Sequence, residues 1–127
     1  MARRTLTKAP ATQSVAPGAS AVLQSASAIE IGDADVYLLS IGTAIDPISN
    51  ANFVTMFLRV NGIPFYPFDN LGSQIGTPTL FQQLSEPVLL GHGCAVDVFG
   101  AMGSGATGNT KMVAGFILAL TKAGERP

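Results

Sequence analysis

Apolar and polar residues alternate in the middle of the chain, and this alternation predicts a β-strand. Every second residue from Val54 to Val60 is apolar, which is the two-residue period of a pleated strand. Asn61 and Gly62 follow, and both accept the positive φ of a type I′ turn. We therefore expect residues 63–68 to pair antiparallel with the first strand. Two prolines in that return segment lack the N–H of a central strand and place it at a sheet edge.

Further apolar runs predict more strands. Residues 36–41 are expected to form a strand buried on both faces, residues 88–90 a short strand, and residues 94–99 a strand with Val96 and Val98 on one face. Residues 80–84 are compatible with a helical turn or a strand. Residues 111–122 are apolar on both faces, as in a strand at the middle of a sandwich or against another subunit. A helix is the alternative for this last segment, because alanine, leucine and methionine favour one.

These patterns predict an all-β protein with a single antiparallel β-sandwich and an extended N-terminal segment. A chain of 127 residues is one domain by size. Pro10 and the Pro17-Gly18 pair exclude a helix near the N-terminus. We divide the chain into an extended basic arm at residues 1–19, a sandwich at 20–124 and a tail at 125–127.

The composition predicts self-association. Charged residues make up 12% of the chain and apolar residues 47%, whereas about a quarter of an ordinary soluble domain is charged. Too few charges are present to cover the surface of a monomer, so we expect a homo-oligomer. A membrane helix needs about 18 consecutive apolar residues, and the best run, 112–121, is shorter, so no membrane association is expected.

The charges are divided between the arm and the body. Residues 1–8 carry +3, whereas residues 9–110 carry −6, with Arg59 against seven acidic residues. A basic arm on an acidic body is suited to docking on an oppositely charged partner. The partner-binding residues predicted for the arm are Arg3, Arg4, Leu6, Lys8 and Val15. A solvated, disordered tail is the alternative, and three cations are too few to package a genome, so no direct nucleic-acid contact is expected.

Residues 103–108 match the G-x-G-x-x-G pattern of dinucleotide-binding loops. Such a site also needs a βαβ unit with a second parallel strand, for which no segment remains after this loop. Asn109 stands where a P-loop would have its lysine. We therefore expect these glycines to form a loop before the final antiparallel strand.

Few side chains are suited to catalysis. His92 and Cys94 are too few for a zinc site, and as near neighbours on one strand they are poorly placed for proton transfer. Asp33 and Asp35 lie at a predicted turn, where aspartate commonly bonds the backbone. Arg59 is expected to pair with a carboxylate such as Asp97, in the core or across a subunit boundary. The sequence thus predicts no catalytic residues, no metal, no cofactor and no enzymatic activity.

The order of elements resembles that of the small jelly-roll or β-sandwich cement and decoration proteins of tailed bacteriophages. The resemblance rests on the basic arm, the Val60-Asn61-Gly62 hairpin, the glycine-rich loops and the closing strand around residues 115–120. It implies a jelly-roll-like sandwich, a trimer, and the major capsid protein as partner. It further implies a location on the capsid exterior after synthesis in the host cytoplasm.

Three functional classes are open at this point. The first is a virion protein that binds the outside of an icosahedral head and stabilises it by bridging capsid subunits. The second is another virion component of similar build, namely a head fibre, a tail or baseplate module, or a small coat subunit. The third is an enzyme or a small-molecule-binding protein.

Overall fold

A computed structural model describes residues 4–66, 68–69, 71 and 82–127 of the chain. This part contains eight strands, one short helix and one 3-10 helix. The strands are β1 (Arg4–Val15), β2 (Ser20–Ala26), β3 (Asp35–Asp46), β4 (Val54–Val60), β5 (Ile63–Pro64), β6 (Gln82–His92), β7 (Val96–Met102) and β8 (Thr110–Thr121). The helix α1 spans Ala28–Ile31, and the 3-10 helix spans Ile48–Phe53. Of the segments interpreted above, residue 67 of the return segment and residues 80–81 fall outside the described residues.

The strands form two antiparallel four-stranded sheets that pack face to face. The first sheet has the order β1-β8-β3-β6 and the second the order β2-β7-β4-β5. Except at the β4–β5 hairpin, successive strands alternate between the sheets, and the chain ends return to one another as β1 and β8. This arrangement of interleaved Greek keys is that of a jelly roll. The predicted all-β sandwich is confirmed.

The core lies between the sheets and follows the period of two. In β8 the residues Met112, Phe116, Leu118 and Leu120 face inward and are fully buried. The other sheet supplies Leu23, Met56, Leu58, Val96 and Val98. The strand predicted for 111–122 is confirmed and the helix is excluded, because β8 is paired on both edges, with β1 and with β3. Residues 36–41 are likewise confirmed as part of a strand, and all six except Leu39 are buried.

The β4–β5 turn has the conformation predicted from Asn61 and Gly62. Their φ angles are 52° and 81°, and the flanking register pairs Val60 with Ile63. β5 is only two residues long and lies at the edge of the second sheet, as its prolines predicted. Beyond it, Phe65 N–H donates to Leu58 O at 2.9 Å. The return segment therefore continues to cover the edge of β4.

The N-terminal segment requires a correction. It is extended, as predicted, but from Arg4 onward it is the edge strand of the first sheet, paired with β8 from Arg4–Leu120 to Val15–Thr110. The register shifts between Lys8 and Ala11, around Pro10, which has no N–H to donate. The sandwich thus begins at Arg4 and not at residue 20. A free arm was inferred from the basic residues and from the prolines that exclude a helix, and these features are equally compatible with an edge strand.

The glycine-rich loop agrees with its structural interpretation. Residues 103–109 connect β7 of the second sheet to β8 of the first, and β8 runs antiparallel to both of its neighbours. A Cβ on Gly105 would lie 3.1 Å from the ring of Phe53, so the loop packs closely against that side chain. No βαβ unit occurs in the described part of the chain, and the geometry of a dinucleotide fold is absent from it.

The substitution Gly62→Val is expected to lower the free energy of unfolding by about 1–3 kcal/mol, because a β-branched residue is strained at positive φ. Urea unfolding measures this change. In the control Asn61→Gly the positive φ stays accessible and only the bond from Ala95 N–H to Asn61 Oδ1 (2.9 Å) is lost, at about 1 kcal/mol. Equal stability of Gly62→Val and the parent would contradict the role of the turn.

Ser40 provides a second stability prediction. Its side chain is 5% exposed, and its Oγ has no hydrogen-bond partner within the described structure. Ser40→Ala should leave the free energy of unfolding unchanged or raise it by up to about 1 kcal/mol, because no bond is lost. The control is Thr110→Val, since Thr110 Oγ1 accepts a bond from Asn50 Nδ2 at 2.8 Å; its loss should cost about 1–2 kcal/mol. A destabilised Ser40→Ala protein would show that the hydroxyl has a partner in solution.

Candidate docking face

The outer face of the second sheet combines apolar side chains with an ion pair. The register places Val22 and Phe57 on either side of Phe99, in one row across β2, β7 and β4. The next row contains Asp97 beside Arg59. These five residues, which we call the docking face, point outward because Val96, Val98, Met56 and Leu58 alternate with them and point into the core.

Arg59 is held in place by two of its neighbours. Its Nε donates to Asp97 Oδ1 at 2.7 Å and its Nη2 donates to Asp97 Oδ2 at 2.9 Å, a two-point contact. The guanidinium carbon lies 4.3 Å from the centroid of the Phe99 ring. The hydrogen bond to Asp97 raises the pKa of Arg59 above its ordinary value. The structure thus forms the ion pair expected from the sequence, within one chain.

The apolar row is partly open to solvent. Val22 is 41% exposed, and Phe57 and Phe99 are half-buried. The two phenylalanine rings tilt by 42° with centroids 5.5 Å apart, which is a favourable aromatic arrangement. Because Arg59 and Asp97 neutralise each other, this face has no net charge from its five residues. A neutral surface with aromatic rings and an ordered arginine is suited to binding another protein, because aromatic residues and arginine are enriched at protein–protein interfaces.

The residues predicted for the arm lie on the first sheet and contact their own chain. Lys8 Nζ lies 2.6 Å from Glu30 Oε1, and Arg4 Nη2 donates to Glu30 O at 3.1 Å. Leu6 packs against the core and Val15 is 2% exposed within it. Arg3 lies outside the described residues. A free, partner-binding arm is therefore corrected for residues 4–15, and any contact of their exposed atoms with a partner stays a prediction.

The structure also assembles a cluster that the sequence did not reveal. His92, at the end of β6, lies between two carboxylates: its Nδ1 is 2.8 Å from Asp35 Oδ1 and its Nε2 is 2.6 Å from Asp33 Oδ1. Asp35 Oδ2 also accepts a bond from Gly124 N–H at 2.9 Å. Asp33 and Asp35 were interpreted as turn residues that bond the backbone, and their contact with His92 was missed. It arises because β3 and β6 pair side by side and place Asp35 opposite His92, two residues that are 57 positions apart in sequence.

The helix α1 beside this cluster was missed as well. Ser27 Oγ accepts from Glu30 N–H at 3.2 Å, and Glu30 Oε2 accepts from Ser27 N–H at 2.8 Å. This reciprocal pair is a capping box, which fixes one helical turn between β2 and β3. The Ser27-x-x-Glu30 spacing is a readable signal for it.

Cys94 is buried, and burial raises the pKa of its thiol. A thiol with a raised pKa is a weak nucleophile at neutral pH.

Within the described ranges, no group of three or more histidine, cysteine, aspartate and glutamate side chains is arranged to hold a metal ion. An open cavity of about 400 Å³ is lined by Tyr37, Glu86, Pro87, Arg126 and Pro127. None of the helices in the described part of the chain is long and apolar enough to cross a membrane.

Neither a scan of protein-family models nor a search of curated proteins finds a match to this chain.

A double-mutant cycle tests the preorganised ion pair of the docking face. We expect Arg59→Met, Asp97→Asn and the double variant to give a coupling free energy of about 1–2 kcal/mol, because the contact is two-pointed and partly buried. The comparison pair is Lys8 with Glu30, whose side chains are 21% and 41% exposed; its coupling should stay below about 1 kcal/mol. Equal coupling in the two pairs would show that the Arg59 contact is no more ordered than a surface ion pair.

Proposed function

We propose that this protein is a non-enzymatic virion protein that binds the outside of an icosahedral bacteriophage head and stabilises it by bridging major capsid subunits. The observation that carries this proposal is the docking face, an exposed apolar row beside an ion pair held in a fixed geometry. Such a surface has a use in recognising another protein. It offers no activated nucleophile or acid–base pair of its own.

Two general properties support the same proposal. The jelly-roll arrangement is common among viral capsid proteins, although fold alone does not define function. The chain has a charged fraction of only 12%. A surface with few charges is costly for an isolated monomer and suited to a subunit whose faces are covered in an assembly. Self-association, with a trimer as the form implied by the resemblance, belongs to this proposal.

The docking face would bind through the energetics of a preorganised surface. Covering Val22, Phe57 and Phe99 removes apolar area from water, which stabilises the complex by about 25 cal/mol per Å² before the costs of association. Arg59 loses little conformational entropy on binding because Asp97 and Phe99 already hold it. Since β1 is part of the sandwich, bridging between capsid subunits would depend on faces of the folded domain and not on a long free arm.

The proposal is tested by placing a charge on the docking face. Val22→Lys and Phe57→Lys should each weaken binding to heads of the phage that encodes the protein by about tenfold or more, because an unpaired ammonium would be buried at the contact. Co-sedimentation of the purified protein with heads measures the occupancy, and circular dichroism verifies that the variants are folded.

The matched control is Leu89→Lys, because Leu89 is an exposed apolar residue, 51% exposed, on the first sheet. This variant should bind heads as the parent does. If folded Val22→Lys and Phe57→Lys proteins retain full occupancy, the docking face is not the contact. If the parent does not sediment with heads at all, the proposed function itself is wrong.

A further inference from the structure

One corner of the sandwich is fixed to the rest by charged side chains on two sides. This corner loop, residues 27–34, contains α1 and connects β2 to β3. On the side of β1, Lys8 binds Glu30 and Arg4 binds the Glu30 carbonyl. On the side of β6, Asp33 binds His92, and Gly93 N–H donates to Ala34 O at 2.8 Å.

The geometry around His92 requires a proton. Both ring nitrogens lie within hydrogen-bond distance of a carboxylate oxygen, at 2.8 Å from Asp35 and 2.6 Å from Asp33. A carboxylate accepts hydrogen bonds and donates none, whereas a neutral imidazole has one N–H and one lone pair. Only the imidazolium form can donate to both carboxylates. In the neutral form one nitrogen lone pair would face a negative oxygen at short range.

We propose that His92 is a proton-operated clasp that holds the corner loop to β6 when it is protonated and releases Asp33 when it is neutral. Asp35 is the carboxylate that stays, because its side chain is 15% exposed and it also binds Gly124 N–H. Asp33 is the one that leaves, because its side chain is 96% exposed and solvent can replace the imidazolium.

Release of Asp33 has a consequence for the surface of this corner. The loop carries Ile29, which is 94% exposed, on α1. When Asp33 is free, the loop remains attached through β1 and through the backbone at Ala34 but loses its contact with His92. Deprotonation of His92 therefore removes one attachment of the loop that carries this exposed apolar side chain. The inference does not rest on the function proposed above.

Asp33 and Asp35 are the charged groups that act on His92 among the described residues. Glu30, on α1, is engaged by Lys8 and by the Ser27 backbone, which lower its pKa. The neighbouring Cys94 is a buried thiol whose pKa is raised, so it is uncharged in the same range. In the C-terminal segment, the Gly124 N–H donates to Asp35 and is the main cause of the lowered pKa of that carboxylate. The hydrogen bond with His92 is the second cause. No cation of the described chain competes with His92 for its two carboxylates.

The direction of the pH dependence follows from these contacts. Two hydrogen bonds raise the pKa of His92 above the ordinary 6.5, with the larger effect from Asp35 and the smaller from Asp33. The clasp therefore contributes its full stabilisation at pH values below the pKa that His92 has in the unfolded chain. This stabilisation is lost as the pH rises through the pKa that His92 has in the folded protein. The pKa of Asp35 is lowered below 3.8, so its contribution is lost only as pH falls through that lower value. Between these limits, in weakly acidic solution, the clasp is closed.

The experiment is an NMR titration of the full chain, in which His92 is the only histidine and gives a single imidazole signal. In the parent we expect a midpoint above 6.5, with the amides of Asp33 and Ala34 shifting at the same midpoint. The protection factor of the Gly124 amide, which is corrected for the intrinsic pH dependence of exchange, should stay unchanged. Each pH unit by which the midpoint exceeds that of the unfolded chain is a tenfold preference of the folded form for the proton. Asp33→Asn should lower the midpoint and abolish the titration of the corner amides.

The matched control is Asp46→Asn, which removes a carboxylate at the opposite end of β3 and should change neither midpoint nor corner amides. His92→Asn, if folded, should leave the corner amides independent of pH between 5 and 8, a window set around the ordinary histidine pKa of about 6.5. The proposal is overturned if the parent midpoint lies at or below 6.5, if Asp33→Asn has the parent midpoint, or if the corner amides titrate in His92→Asn. Loss of Gly124 protection at the His92 midpoint would overturn the assignment of Asp33 as the group that leaves.

Discussion

The structure depends on the double pairing of β8. This strand lies between β1 and β3, so both of its edges are hydrogen-bonded, and its inward residues fill the middle of the core. An apolar strand with an open edge would be a site for aggregation. The chain covers one edge with β3 and the other with its own N-terminal segment. The polar, basic composition of β1 is therefore that of a strand whose outer edge and outer face meet water.

This constraint explains why the N-terminal cations are not free. Pairing with β8 brings Lys8 and Arg4 beside the corner loop. There Lys8 donates to the Glu30 carboxylate and Arg4 donates to the Glu30 backbone carbonyl. The same residue, Glu30, closes the capping box of α1. One acidic side chain thus connects the edge strand to the helix, and the charge asymmetry along the sequence becomes a set of local contacts.

The described ion pairs occupy three separate places with different exposure. The Arg59–Asp97 pair is partly buried, and the Arg59 guanidinium lies over the Phe99 ring, so these three side chains hold one another in place on the docking face. The Lys8–Glu30 pair is more open to solvent. The His92 cluster is exposed and titratable, so its strength depends on pH. In a chain with few charges, these contacts give the outer face of the second sheet and the two sides of the corner loop distinct chemical properties.

The sequence by itself determined the local features. Alternation predicted β4 and β7, and a run that is apolar on both faces predicted β8. The Asn61-Gly62 pair predicted the turn and the prolines an edge strand, because each of these signals depends on preferences within a few residues. It also named Asp97 as a candidate partner of Arg59, in the core or across a subunit boundary. The tertiary structure alone decided that β1 covers β8 and that Asp35 lies opposite His92. These contacts join residues far apart in the chain, and periodicity shows which face of a strand is buried but not which strand lies beside it. The free arm was predicted wrongly and the His92 cluster was missed for this reason.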